Sequence, residues 1–167
     1  MEHQRLIKNR VHPGVRIISG GQTGVDRAAL DTAIELKLEH GGWCPQGRKA
    51  EDGIIAPRYR LHETADEKYD TRTRLNVQDA DGTLILYRGA LEGGTQLTAR
   101  IAGQLRKPLM LVDLGQPAPV GEIRTWLSAN HITTLNVAGP RESKNPGIYQ
   151  EARRLLHTLF TSGVLAG

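Results

Sequence analysis

Residues 17–26 join an apolar run to a glycine-rich turn and then to a helical pattern. Three glycines within residues 20–24 allow a left-handed backbone and close approach of another molecule, and the helix that follows offers unpaired N–H groups and the positive end of its dipole. The segment therefore predicts an anion site, with phosphate as the first hypothesis, although a tight turn without a ligand would have the same pattern. Val25 and Asp26 follow Gly24 where a Walker A motif needs Lys and then Ser or Thr, and the glycine spacing of the G-x-G-x-x-G dinucleotide fingerprint is also absent.

The composition is that of one globular domain. A length of 167 residues fits a single core, 38% of the residues are hydrophobic, and no apolar run reaches the length of a membrane span, so we expect no membrane partner. The net charge of +4 favours anionic partners, but there is one Phe and no long basic run, so we expect a small anion and no nucleic acid. One cysteine and six scattered histidines predict neither a disulfide framework nor a protein-ligated metal.

The first thirteen residues differ from the rest of the chain. They are polar and basic and lack the apolar segment of a secretory signal. We therefore expect a flexible N-terminal arm at residues 1–13, a single domain at residues 14–167, and a cytoplasmic protein.

Apolar runs bounded by turn residues alternate with helical periodicities along the chain. This alternation predicts an α/β fold, a three-layer, Rossmann-like, doubly wound and mainly parallel sheet flanked by helices. The strand at residues 82–87 should be central because its apolar run is continuous, and the last helix should begin with Asn145 as its cap and Pro146 in its first position. The expected strands are residues 15–19, 40–43, 82–87, 109–113 and 134–137, and the expected helices are near residues 25–38, 66–78, 97–105, 119–129 and 146–160.

Candidate ligand-binding residues follow from this topology, since the crevice of an open parallel sheet lies beyond the carboxyl ends of its strands. Several of the loops expected there carry cations or glycine turns, and the start of the helix before residue 82 should lie near the same edge. Loop cations can also be solvated, Asp26 can simply face the helix dipole, and Thr95 can cap a helix. The candidates are Gly20, Gly21, Gln22, Thr23, Gly24, Asp26, Arg48, Lys49, Arg72, Arg88, Gly93, Gly94, Thr95, Arg141 and Ser143.

The second expected strand bears on the choice of ligand. Rossmann domains that bind NAD normally end this strand with an acidic residue, whereas here Trp43 and Cys44 end it and Arg48 and Lys49 follow. This favours a phosphate-bearing ligand over NAD, while Trp43 and Cys44 either line a pocket for a flat ring or pack in the core. Residues 44–59 form a long polar connection of the kind that is usually functional or mobile. No G-x-S-x-G, H-E-x-x-H or Cys–His arrangement indicates a catalytic set.

Five blocks in this order make the chain resemble the molybdenum cofactor carrier family: residues 17–26, 40–53 (HGGWCPQGRKAEDG), 74–86, 91–98 and 136–149. The resemblance implies a binding protein for the molybdenum cofactor, a pterin with a terminal phosphate and a metal-bearing dithiolene. It implies that the phosphate lies near Gly20, Gly21, Thr23 and Gly24, and that Gly93, Gly94 and Thr95 form the second wall. It also implies a homodimer or homotetramer, with molybdoenzymes or cofactor-synthesis proteins as partners.

The same family is similar in fold to the lysine decarboxylase-like phosphoribohydrolases, which use a P-G-G-x-G-T-x-x-E loop. The corresponding segment here, LEGGTQLTA, lacks the proline, one glycine and the glutamate, which disfavours glycosidic hydrolysis. Two alternatives stay open. One is a nucleotide-processing enzyme with Asp26, Glu92 or Glu51 as acid or base, and the other is a nucleotide-sensing binding protein.

Overall fold

The computed structural model describes residues 14–161, and its strands and helices alternate as the sequence predicts. The strands are β1 (Arg16–Ile18), β2 (Glu39–Gly41), β3 (Trp43–Cys44), β4 (Lys49–Ala50), β5 (Gly53–Ile54), β6 (His62–Glu63), β7 (Gly82–Tyr87), β8 (Leu109–Asp113) and β9 (Thr134–Ala138). The helices are α1 (Val25–Glu35), α2 (Tyr69–Asp79), α3 (Gly93–Gln104), α4 (Val120–Ala129) and α5 (Ile148–Phe160). The expected arm at residues 1–13 lies outside the described residues.

Five strands form a parallel sheet in the order β2-β1-β9-β7-β8. Helix α5 packs against α1 and α4, while α2 packs against α3, so the helices form two groups around the sheet. The predicted α/β, three-layer, Rossmann-like class is confirmed. Within residues 14–161, none of the helices combines the length and apolar character needed to cross a membrane.

The middle strand is β9, not β7 as expected. Both are internal, and β7 is buried from Gly82 to Leu86, as its continuous apolar run indicates. The crossover through α4 brings the chain back between β1 and β7, so that Arg16 pairs with Thr134 and Thr83 pairs with Asn136. Burial on both faces shows that a strand is internal, but it does not show which internal position the strand takes.

The second strand is shorter than expected because of Gly42. This residue has φ of 127°, which ends the pairing with β1 at Gly41, and the next two residues pair with β6 in a separate small sheet. A Cβ at Gly42 would lie 2.2 Å from Ser19 O, so a glycine is needed for this close approach. As a result, residues 45–50 leave the edge of the main sheet.

Helix α5 starts at Ile148, two residues later than expected, because Gly147 adopts a left-handed conformation with φ of 92°. The expected cap by Asn145, with Pro146 in the first helical position, is wrong. The carboxylate of Glu142 instead accepts hydrogen bonds from Gly147 N and from Tyr149 N (3.1 Å).

The connection after β3 is a structured element built around Arg48. It contains the antiparallel β4–β5 hairpin, and the Arg48 guanidinium donates to main-chain carbonyl groups at four positions. The distances are 3.0 Å to Ile55 O, 2.9 Å to Ala56 O, 2.8 Å to Tyr59 O and 3.3 Å to Leu61 O. Arg48 was expected to contact an anion. Its guanidinium instead donates to these carbonyl groups.

Buried apolar side chains also hold this connection against α1. Cys44 is fully buried and packs with Leu30, Ile55, Tyr59 and Leu61, so the core interpretation holds for this residue. The Trp43 indole N–H donates to Asp79 Oδ2 at 2.7 Å on the outside of the fold.

Replacement of Arg48 by Met should lower the free energy of unfolding by about 2–4 kcal/mol, because several carbonyl groups lose a charged donor. The neighbouring Lys49 is the matched control, since its ammonium group is exposed and pairs with Glu67 at 2.9 Å. Lys49→Met should change the free energy by less than about 0.5 kcal/mol. Urea unfolding of both variants measures the difference, and equal losses would contradict the structural assignment of Arg48.

Candidate functional site

A cleft of ≈ 440 Å³ lies where the chain leaves β1, β7 and β9. Gly20 lines it from the loop after β1. The segment after β7 contributes Arg88, Ala90 and Glu92, and the loop after β9 contributes Gly139, Pro140, Arg141, Lys144 and Asn145. The first two turns of α2 form the remaining wall. The cleft therefore lies at the carboxyl edge of the sheet, beside the middle strand, where doubly wound folds place ligands.

The structure separates the sequence candidates into two groups. Those that line the cleft are Gly20, Gln22, Asp26, Arg72, Arg88, Gly93, Gly94, Thr95 and Arg141. Those that it does not bring to the cleft are Gly21, Thr23, Gly24, Arg48, Lys49 and Ser143. The second group consists of side chains and turns that bind other parts of the protein.

The first glycine turn is closed by the protein itself. A Cβ at Gly21, where φ is 80°, would lie 2.6 Å from Leu61 Cδ1, and a Cβ at Gly24, where φ is also 80°, would lie 2.3 Å from Pro140 O. Val25 N donates to the same Pro140 oxygen at 3.3 Å. Protein atoms therefore occupy the space beside Gly21 and Gly24, and neither residue lines the cleft.

The second glycine turn is open to the cleft. Gly93 and Gly94 are the first residues of α3, they are exposed, and a Cβ at either would have no atom within 4 Å. Thr95 N and Gln96 N bond to Glu92 O at 3.1 and 3.2 Å, whereas the N–H groups of Gly93 and Gly94 make no hydrogen bond within the described part of the chain. Thr95 lies inside the first turn and does not cap α3 with its side chain. The start of α3 therefore presents N–H groups and a positive dipole to the cleft.

The floor of the cleft holds a buried ion pair. Asp26 is 7% exposed, and its Oδ2 lies 3.5 Å from Arg72 Nη1 and accepts a hydrogen bond from Gln22 N at 3.3 Å. Arg72 Nη1 also donates to Gly20 O at 2.7 Å. Burial raises the pKa of Asp26, while the charge of Arg72 and the N–H of Gln22 oppose the rise. Buried carboxylates with a shifted pKa are common at functional sites.

Cations surround an exposed aromatic ring at one wall. The Arg72 and Arg141 guanidinium carbons lie 5.2 and 5.8 Å from the centre of the Tyr69 ring, which is 37% exposed. Arg88, which follows β7, lines the cleft and pairs with Glu151 on α5.

Several lining residues were not among the sequence candidates. Lys144 and Asn145 directly follow Ser143 in the loop after β9, so the same argument about strand ends would have found them. Asn136 is a buried polar residue within β9, and its amide donates to Thr83 Oγ1 at 3.3 Å. A polar residue in an otherwise apolar internal strand was the available signal.

Thr23 and Ser143 contact the carboxylate of Glu51 and do not line the cleft. Ser143 N and Ser143 Oγ donate to it at 3.1 and 2.5 Å, and the Thr23 hydroxyl donates to the same carboxylate. Burial would raise the pKa of Glu51, but these hydrogen bonds outweigh it and hold the pKa below its ordinary value. Among residues 14–161, no three Asp, Glu, His or Cys side chains lie close enough together to hold a metal ion.

The pKa of Asp26 predicts a pH dependence of stability. The unfolded chain ionises near the ordinary value of 3.8 and the folded protein ionises above it, so the wild type should lose stability as the pH rises through this interval. The Asp26→Asn variant lacks this loss, and its free energy of unfolding should increase relative to the wild type as the pH rises from 3.8 towards neutrality. Urea unfolding at a series of pH values measures the difference.

Asp52 provides a control of opposite sign. The hydrogen bond from Arg27 lowers the pKa of Asp52, so its contribution is present above the ordinary pKa and is lost as the pH falls. Asp52→Asn should therefore lose stability relative to the wild type as the pH rises. Parallel pH profiles for the wild type and Asp26→Asn would contradict a raised pKa at Asp26.

Comparison with known proteins found a matching family model and a similar solved structure. The model of the circularly permutated YpsA SLOG family matches residues 17–160, which include both glycine turns and the final helix. A solved structure from Syntrophus aciditrophicus SB, named "putative molybdenum carrier protein", is 45% identical, has a TM-score of 0.87, and is matched over 89% of this chain and 97% of that chain. Comparison with curated proteins gave no match. The resemblance to a molybdenum carrier family is confirmed, and the chain belongs to the circularly permutated YpsA SLOG family.

Proposed function

We propose that this protein is a molybdenum carrier that binds the phosphate-bearing pterin of the molybdenum cofactor in the cleft at the carboxyl edge of the sheet. The name of the Syntrophus aciditrophicus protein supports a role in carrying molybdenum, and the cleft volume of ≈ 440 Å³ is in the range of small-molecule sites. The observation that carries the proposal is the open start of α3, at Gly93 and Gly94, beside the cations of the cleft.

In this proposal the phosphate binds at the start of α3. The N–H groups of Gly93 and Gly94 make no hydrogen bond within residues 14–161, and the dipole of a helix twelve residues long favours a negative charge at its start. Lys144 lines the same cleft and supplies positive charge, while Arg88 also lines it but pairs with Glu151. This arrangement moves the phosphate from the first glycine turn, where the resemblance places it, to the second.

The pterin ring then extends towards α2. The exposed Tyr69 ring offers a flat surface for stacking, and Arg72 and Arg141 lie within reach of the same ring. A pterin carries N–H donors on its pyrimidine edge, and the buried Asp26 carboxylate is the matching acceptor at the floor of the cleft. The molybdenum arrives as part of the ligand, on the dithiolene, and is cargo of the carrier.

The two glycine turns provide a matched pair of variants. Gly94→Val should leave the melting temperature near that of the wild type, because a Cβ there meets no protein atom, and should weaken binding of molybdopterin by at least about tenfold through obstruction of the phosphate. Binding is measured by fluorescence titration of the pterin under anaerobic conditions. Gly21→Val should instead lower the melting temperature, because its Cβ meets the side chains of Leu61 and Ile55. Unchanged affinity in a folded Gly94→Val protein would remove the start of α3 from the site.

A nucleotide-processing enzyme is the second candidate, and Asp26 is the observation that favours it. Its carboxylate is buried in the cleft beside Arg72 with a raised pKa, which is a common environment for an acid–base residue. Glu92 also lines the cleft, whereas Glu51 does not. Incubation with a panel of nucleoside monophosphates, followed by chromatography of the products, separates the two functions. Turnover that is lost in Asp26→Asn would favour the enzyme, and no turnover with tight pterin binding would favour the carrier.

Assembly and delivery complete the proposal. A carrier has to transfer its cofactor, so we propose cofactor-synthesis proteins or molybdoenzymes as partners, a cytoplasmic location, and a homodimer or homotetramer. Light scattering coupled to size-exclusion chromatography measures the oligomeric state, and a monomer in the presence of ligand would contradict that part of the proposal.

A further inference from the structure

The carboxylate of Glu51 lies outside the cleft and is held by donors from the ends of two strands. The residue occupies the turn of the β4–β5 hairpin, and its side chain is 21% exposed. Its Oε1 accepts from the Thr23 hydroxyl and from Ser143 N at 3.1 Å, and its Oε2 accepts from Ser143 Oγ at 2.5 Å. The hairpin thus places the Glu51 carboxylate against three hydrogen-bond donors.

These donors are oriented by bonds that do not involve Glu51. Glu142 N donates to Thr23 Oγ1 at 3.2 Å, which holds this oxygen in place and leaves its proton free to donate. The N–H groups of Lys144 and Asn145 both bond to Arg141 O, at 3.2 and 3.3 Å, and this turn fixes the main chain at Ser143. Contacts other than those to Glu51 therefore also position these groups, and the two hydroxyl protons can rotate towards another anion.

The Glu51 carboxylate makes no hydrogen bond with the nearby Arg141 guanidinium. Arg141 Nη1 lies 4.0 Å from Glu51 Oε2, which is beyond hydrogen-bonding distance. A phosphate group has one more oxygen than a carboxylate can present, and that oxygen could reach the guanidinium while the others replace the two carboxylate oxygens. Arg141 also lines the cleft, so this donor set adjoins it.

We infer that Thr23, Arg141 and Ser143 form an oxyanion site that Glu51 occupies as an internal anion, and that this site takes a phosphate group when the Glu51 side chain swings out. The lowered pKa of Glu51 agrees with a site that stabilises negative charge. The swing needs no unfolding of the hairpin. The buried Ile55 holds the base of the hairpin in place. The Asp52–Arg27 pair at 2.9 Å also holds the hairpin, and it does not involve the Glu51 side chain.

The test is a titration with inorganic phosphate, so its outcome does not depend on whether the cleft binds a pterin. Glu51→Gln keeps the size of the side chain and removes its charge, and it should bind phosphate about tenfold more tightly than the wild type because the competing anion is lost. Asp52→Asn is the matched control, since it removes the same charge from the next residue but leaves the donor set intact. Its phosphate affinity should equal that of the wild type. Isothermal titration calorimetry measures all affinities, and thermal melts verify that each variant is folded.

A double variant locates the bound phosphate. Adding Ser143→Ala to Glu51→Gln removes the hydroxyl donor and should return the affinity to the wild-type level. No gain in Glu51→Gln, an equal gain in Asp52→Asn, or a gain that survives Ser143→Ala would overturn the inference. A second readout uses the wild type alone. At high phosphate concentration the amide NMR signals of Ser143 and Glu51 should shift together, and unchanged signals at both positions would also overturn it.

Discussion

The close contact between the first glycine turn and the loop after β9 determines where the cleft lies. Gly24 can approach Pro140 O only because it has no side chain, and Val25 N donates to that oxygen. Gly139 plays the same role towards β7, since a Cβ there would lie 2.2 Å from Leu86 O. These contacts draw the ends of three strands together. In these contacts the start of α1 packs against the loop after β9. The helix start that lines the cleft with its glycines is therefore that of α3.

Positively charged residues that look equivalent in the sequence have different roles in the structure. The Arg48 guanidinium donates hydrogen bonds to four carbonyl groups of its own loop, whereas Arg72 forms a buried pair with Asp26 at the floor of the cleft. Arg141 lies between the cleft and the Glu51 carboxylate. The cleft thus combines cations with one buried carboxylate whose ionisation the fold opposes. Buried carboxylates with a raised pKa are common at sites that bind ligands or carry out catalysis.

Much of the fold and part of the site could be predicted from the sequence. Alternating apolar runs and helical periodicities identify a parallel α/β sheet, and the strand-end rule identifies Asp26, Arg88 and Gly93 as residues of one edge. The two glycine turns could not be distinguished, because the difference between them is what packs on each. Leu61, Ile55 and Pro140 close the first turn, and all of them are distant in sequence. The partners of Arg48 and the capping role of Glu142 depend on the same kind of long-range contact.

The most direct measurement is an amide NMR titration of the wild-type protein with molybdopterin, the metal-free pterin phosphate. If the phosphate binds at the open helix start, the amide signals of Gly93 and Gly94 should shift most and saturate with the ligand, because both residues line the cleft and their N–H groups make no hydrogen bond among residues 14–161. The signals of Gly21 and Gly24 should change little, since the protein's own residues cover them. Large shifts at Gly21 and Gly24 with none at Gly93 and Gly94 would contradict the placement of the ligand.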